Sequence, residues 1–160
     1  MTPLVRRRMA TDRRGLTLIE LLVSIAVLGV LAGVAMPLVQ VTVTRTKELE
    51  LRRALRKVRE GIDQFKVEYD KARANARDAR ADFKKRVSVD RTGYPLTLEE
   101  LVEGKILRRI PRDPMNLEGR WVIRSYSDNP DSSLSDAKDV YDIRSASQAV
   151  ALDGTIYDTW

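Results

Sequence analysis

The chain has 160 residues, enough for one compact domain, with 29 basic and 23 acidic side chains and a net charge of +6. It contains no cysteine and no histidine, which excludes disulfide stapling and removes both the commonest general base and the usual zinc ligand. No phosphate-binding loop or nucleophile motif occurs, so the sequence reads as a structural chain and not an enzyme.

The first fifteen residues carry Arg6, Arg7, Arg8, Arg13 and Arg14 against Asp12, a net of +4. Then Gly15-Leu16-Thr17-Leu18-Ile19-Glu20 runs into nineteen residues, 21–39, that hold no charge and only Ser24 as a polar side chain. Together with 16–19 this is enough helix to cross a hydrocarbon core of about 30 Å. The basic flank keeps its own side cytoplasmic and sends the remainder across. The apolar run is too long for a secretory signal peptide, and Ala35-Met36-Pro37 is a poor cleavage site. Glu20 is the anomaly. A carboxylate near the end of an apolar helix costs about 2.5 to 3.5 kcal/mol on insertion scales, so it calls for an interfacial position or a cationic partner.

The stretch Gly15-Leu16-Thr17-Leu18-Ile19-Glu20-Leu21-Leu22 resembles the signal of type IV pilins and type II secretion pseudopilins. The resemblance implies cleavage by prepilin peptidase between Gly15 and Leu16, N-methylation of Leu16, and retention of the span as the fibre-core helix. In that setting Glu20 of one subunit neutralises the new Leu16 amino group of a neighbour, each buried charge supplying the other's partner. Gly29 and Pro37 fall where pilin-like helices commonly carry a helix-weakening glycine and a kinking proline, so bending or melting on assembly is expected between them. Gly29 and Gly33 also make a small-xxx-small pair that permits close helix contact. Loss of the leader takes away five arginines and one aspartate and leaves 24 basic and 22 acidic residues. A nucleic-acid partner is therefore not expected.

Beyond the span, Leu51, Leu55, Val58, Ile62, Phe65, Tyr69, Ala72, Ala76, Ala79 and Phe83 step by four and three along one apolar seam. Charged residues fill the other positions and Gly61 is the weak point. The spacing predicts one helix from about Leu16 to about Arg86, in lipid over 16–41 and amphipathic over 42–86. A sustained heptad suits a coiled coil, while the pilin resemblance favours packing of Leu51 to Tyr69 on the chain's own sheet.

Residues 87–160 read as a small globular domain. Val87 to Gly93 is turn-rich, and Thr97-Leu98-Glu99-Glu100 has capping-box spacing ahead of a short helix from Leu98 to about Glu103, with Gly104 as its stop. Two prolines bracket Arg112-Asp113 in a turn that Asp113 caps. Trp121 to Tyr126 and Val140 to Ser145 are strand-like and predict a small antiparallel sheet, joined by an Asp- and Ser-rich loop, 127–139, expected to be a solvated surface loop. The fold class is thus α+β and pilin-like: a long N-terminal helix against a domain with a short helix and a small antiparallel sheet.

The order Tyr94-Pro95, Leu98 to Val102, Ile110-Pro111-Arg112-Asp113-Pro114, then Trp121 is similar to the C-terminal domain of the major pseudopilins of type II secretion, the general secretion pathway protein G family. This resemblance implies a homo-oligomeric helical pseudopilus, with prepilin peptidase, minor pseudopilins, an inner-membrane assembly platform and membrane lipid as partners. It also implies a single-pass inner-membrane location with a cytoplasmic N-terminus and a periplasmic domain. Members hold calcium near the C-terminus; here Asp153, Asp158 and Ser147 are the candidate side-chain ligands, too few alone for six to eight oxygens. The C-terminal segment lacks the family's acidic, glycine-rich character, and Asp153-Gly154 reads equally as a turn with Trp160 packing the chain end onto the sheet. Two rival readings stand: a type IV pilin or minor pilin for adhesion, motility or DNA uptake, and an unprocessed single-span membrane protein with a periplasmic coiled coil.

Overall fold

The computed structural model describes residues 17–129, 132 and 134–160, with Val34 and Pro37 described for their backbone only. The chain divides into two compact units, Met1–Val41 and Thr42–Trp160. Helix α1 spans Leu18–Arg73. It is followed by α2 (Ala81–Lys84), α3 (Glu99–Glu103), strands β1 (Trp121–Arg124) and β2 (Asp142–Ser145), and a single 3-10 turn, Tyr157–Thr159. The α+β pilin-like class expected from the sequence is the observed one.

In the first unit, α1 is helical through Gly29 and Pro37. Pro37 withdraws the donor that would reach the Gly33 carbonyl, which a membrane helix tolerates without breaking. The expected melting on assembly concerns a state other than this single chain. Gly29 and Gly33 have nothing within 4 Å of where a Cβ would stand, so this small-residue face is open.

In the second unit the seam buries as its spacing predicts. Leu51, Leu55, Val58, Ile62, Phe65, Tyr69 and Ala72 are all buried, and they pack with Leu98, Leu101, Leu107, Val140, Ile143, Ala151 and Tyr157. Of these partners only Ile143 lies in a strand. The core around the helix thus draws on α3 through Leu101, on the loops, and on the sheet through Ile143 with Trp121 and Ile123 of β1 half-buried against it. Gly61 is also a contact: a Cβ there would meet Leu107 Cγ at 3.3 Å. The absent side chain lets Leu107 close on the helix, against a helix-propensity cost of about 1 kcal/mol relative to Ala.

The helix ends thirteen residues before the expected Arg86, so the amphipathic helix assigned to 42–86 is corrected to a stop at Arg73. Asn75 takes a left-handed conformation, φ 50°. Its N–H donates to Ala72 O at 3.1 Å, and Ala76 N–H reaches back to Lys71 O at 3.0 Å. That pair of bonds is a Schellman stop, with asparagine where glycine is commonest. Phe83 shows why the chain turns. Its ring sits 4.9 Å from that of Phe65, edge to face, whereas on one straight helix the two would be roughly 27 Å apart. The chain folds back so that Phe83 covers the seam instead of extending it.

Strands β1 and β2 pair antiparallel in the register Trp121↔Ser145, Val122↔Arg144, Ile123↔Ile143 and Arg124↔Asp142. Each is two residues shorter than its apolar run, because Asp139 intervenes. Its carboxylate accepts the Tyr126 N–H and the Ser125 hydroxyl, each at 2.8 Å, replacing the next ladder bond with a side-chain one. The 127–139 connection is accordingly no simple solvated loop. Asp139 and Arg124 at its base are 3% and 5% exposed, and the Arg124 guanidinium donates to the Asn129 carbonyl at 2.7 Å and to the Ser132 carbonyl. Helix α3 begins one residue later than expected and without the capping box. Glu100 reaches back to the Leu96 N–H at 2.9 Å, but the Thr97 hydroxyl does not cap the helix.

Candidate processing and assembly site

The N-terminal end of α1 is built around Thr17 and Glu20. The Thr17 hydroxyl accepts the Glu20 N–H at 3.3 Å and the Thr17 carbonyl accepts the Leu21 N–H at 3.1 Å. Thr17 is thus the N-cap and Glu20 the third helical residue, the positions of a capping box. The Ser24 hydroxyl donates to the Glu20 carbonyl at 2.7 Å, which satisfies the one polar side chain of the span. The Glu20 carboxylate itself has no partner among the described residues. The helix dipole favours a carboxylate in the first turn by about 0.3 to 1 kcal/mol. That is less than the 2.5 to 3.5 kcal/mol or so that burial in lipid costs, so an interfacial position or a cationic partner has to close the difference.

The rest of the span offers a surface and no chemistry. Its most apolar window has mean hydropathy 2.5 and no buried residue, and among the described residues it belongs to the one helix long and apolar enough to cross a membrane. Leu18 is 79% exposed and Met36 71%. A patch this size on a soluble monomer would be a liability, so lipid or other helices must cover it. Residues 11–36 match the prokaryotic N-terminal methylation motif. The chain carries a prepilin-type signal. This signal supports a pilin- or pseudopilin-type protein, processed by a prepilin peptidase and assembled into pilus-like fibres, and with the apolar helix it supports a membrane anchor. No curated protein and no solved structure matches the chain.

The prepilin-type signal takes in four of the sequence-derived site residues, Gly15, Leu16, Glu20 and Gly29. Gly15 and Leu16 lie outside the described residues, and Pro37 follows the matched stretch by one position. Thr17 was not singled out by sequence; its threonine-to-glutamate spacing of three was the signal that could have found it.

The C-terminal candidates are placed apart in role. Asp153 accepts from Thr155 N–H at 3.0 Å and Thr155 Oγ1 at 2.6 Å and pairs with Arg52 at 3.3 Å. The Thr155 bonds, with help from Arg52, hold its carboxyl below the usual range. Asp158 accepts from the Gln148 amide at 3.1 Å, and the Ser147 hydroxyl from the Ala149 N–H at 3.4 Å. Among the described residues no group of three or more acidic, histidine or cysteine side chains is placed to hold a metal. What anchors this segment is α1. Glu48 accepts the Leu152 N–H at 2.8 Å and the Tyr157 hydroxyl at 3.0 Å. Arg59 donates to Asp142 at 2.7 Å and to the Trp160 carbonyl at 3.0 Å, and the Arg52 guanidinium lies 4.2 Å over the Trp160 ring. Trp160 therefore packs on the helix and on Tyr157, 5.2 Å away, and Arg59 links its carbonyl to that of Ile143 in β2.

Asp113 caps its turn as expected, accepting the Met115 N–H at 2.8 Å. It does more: its second oxygen takes the Ser145 hydroxyl at 2.7 Å and the Ala146 N–H at 3.1 Å. The turn is thereby tied to the end of β2. The Trp121 indole donates to the Pro111 carbonyl at 2.8 Å, and Val140 N–H to the Pro95 carbonyl at 2.7 Å. The Trp121 side chain thus ties the Pro-Arg-Asp-Pro turn to the start of β1, and the Tyr-Pro block is tied to the residue two before β2.

Proposed function

We propose that the chain is a structural subunit of a type II secretion pseudopilus. It is cut by prepilin peptidase between Gly15 and Leu16, N-methylated at Leu16, and held in the inner membrane with its domain in the periplasm. From there it is drawn into a short helical fibre whose axis is made of the apolar helices. Minor pseudopilins and an inner-membrane platform are its partners, a separate cytoplasmic motor supplies the energy, and the chain itself hydrolyses nothing.

The observation that carries this reading is an apolar helix that, among the described residues, nothing covers and whose Glu20, inside a prepilin-type signal, has no partner there. The buried seam from Leu51 to Ala72 argues against a periplasmic coiled coil, because the face such a coil would use is already occupied. The order of the Tyr94-to-Trp121 blocks favours a pseudopilin over a type IV pilin. Mass spectrometry of the protein from its native membrane is expected to show a chain starting at Leu16 with one added methyl group; a chain that retains residues 1–15 refutes the reading. In the same host, Glu20→Ala is expected to be cleaved normally and to assemble poorly, and fibres formed at the normal level would remove the charge pairing.

A further inference from the structure

Some arginines of the domain are held by its own carboxylates: Arg52 meets Asp153, Arg59 meets Asp142, and Arg86 and Arg91 share Glu100. One cleft gathers cations that are not. Across a cleft of about 560 Å³, the α1 residues Glu50, Arg53, Ala54 and Lys57 face the turn from Arg109 to Pro114. Arg53, Lys57, Arg109 and Arg112 are exposed around it and none has an ion pair among the described residues. Glu50 is the single carboxylate in the lining. Four like charges gathered on one cleft repel each other and create a strongly positive local field. Between them the surface is apolar, with Ala54 buried and Ile110, Pro111 and Pro114 half-buried. The complement of such a cleft is an apolar side chain beside a carboxylate.

Among the described residues of the domain, Val89 and Asp90 present that pair at its most exposed. Val89 is 95% exposed, and the next residue, Asp90, is exposed and unpaired among the described residues. Two other strongly exposed apolar side chains of the domain stand near carboxylates that are already engaged. Leu117 stands beside Glu118, which is held by Arg120, and Leu134 is near Asp136, which is held by Ser127 and Lys138. The Val89 turn is also preformed. The buried Tyr69 hydroxyl donates to the Ser88 carbonyl at 3.0 Å and accepts the Ser88 N–H at 3.1 Å, so little order need be gained on docking.

We propose that the cleft between α1 and the 109–114 turn receives the Val89–Asp90 turn of a second copy of this chain. The contact rests on the fibre-subunit reading for its setting. Cleft and turn are different patches, set at α1 positions 50–57 and 69, roughly 20 Å apart along the helix axis. A contact between different patches is heterologous, so each copy offers a free cleft and a free turn to the next, and repetition builds a fibre wherever the rotation does not close into a ring.

The absence of cysteine makes the test clean. Two full-length chains, one Val89→Cys and one Pro114→Cys, are co-expressed in the native host and oxidised in the membrane. A mixed disulfide dimer is expected. Asp90→Arg in the first chain, or Arg112→Asp in the second, is expected to cut its yield about tenfold or more by setting like charges together. The two reversals combined are expected to restore it, with the melting temperature of each variant checked against its parent. Fibres that form without the mixed dimer, or reversals that leave its yield unchanged, overturn the contact. A mixed dimer without fibres supports the contact and sinks the fibre reading, and the absence of both overturns both.

Discussion

Asn75 ends α1 by adopting a backbone conformation that most side chains resist. The left-handed region costs roughly 1 to 2 kcal/mol for an ordinary residue and less for asparagine or glycine. Asn75→Ala is therefore expected to lower unfolding stability by about 1 kcal/mol, while Asn75→Gly leaves it equal or higher. Denaturant unfolding of the full chain in detergent reads the difference; equal stabilities of the alanine and glycine variants would show that the stop is set elsewhere. Gly93 illustrates the same constraint more severely. Its φ is +97°, and a Cβ there would stand 3.1 Å from Tyr69 Cδ1, so the turn that presents Tyr94-Pro95 depends on the missing side chain. Asp113 and Asp139 are legible in sequence only as turn and loop residues. Their burial comes from donors that arrive from β2, Ser125 and Thr92, and no local pattern announces those.

At the level of elements, α2 is a single turn of four residues that no helix propensity would sustain alone. It exists because Phe83 is fully buried against Phe65 and closes the upper end of the core. Phe83→Ala is expected to cost about 3 to 5 kcal/mol, the range for emptying a buried aromatic site. A loss below about 1 kcal/mol would mean that the core closes without this turn. The two strands make a hairpin of marginal stability in isolation, so β1 and β2 need Asp113, Arg59 and the packing of Ile143 on α1 to persist. The apolar runs marked both strands correctly, but not their ends, since Asp139 competes for the backbone where the ladder would continue.

For the molecule as a whole, stability should fall at both extremes of pH. Burial, reinforced by the hydrogen bond to Glu48, pushes the Tyr157 hydroxyl up to about 12 from its ordinary value of 10.0. A pKa raised in the folded state gives stability that is complete below pH 10 and is lost as pH rises toward 12. Tyr157→Phe is expected to flatten that alkaline loss, measured as Tm against pH for the full chain in detergent; an unchanged slope would place the alkaline weakness in another group. On the acid side the Asp128 carboxylate, held low chiefly by the Ser135 hydroxyl and then by backbone N–H groups and Arg124, gives stability present above its ordinary 3.8 and lost as pH falls.

The sequence by itself determined the features that depend on spacing and polarity along one helix: the span, the misplaced Glu20, the small-residue face and the seam from Leu51 to Ala72. A helix is periodic, so its faces can be counted without knowing what they meet. Only the tertiary structure decided where that helix stops, that Gly61 is a contact with Leu107, that Asp153 faces Arg52, and that Trp160 lies on α1. Each of these depends on a partner far away in the chain or on the backbone state of one residue, and a linear pattern carries neither.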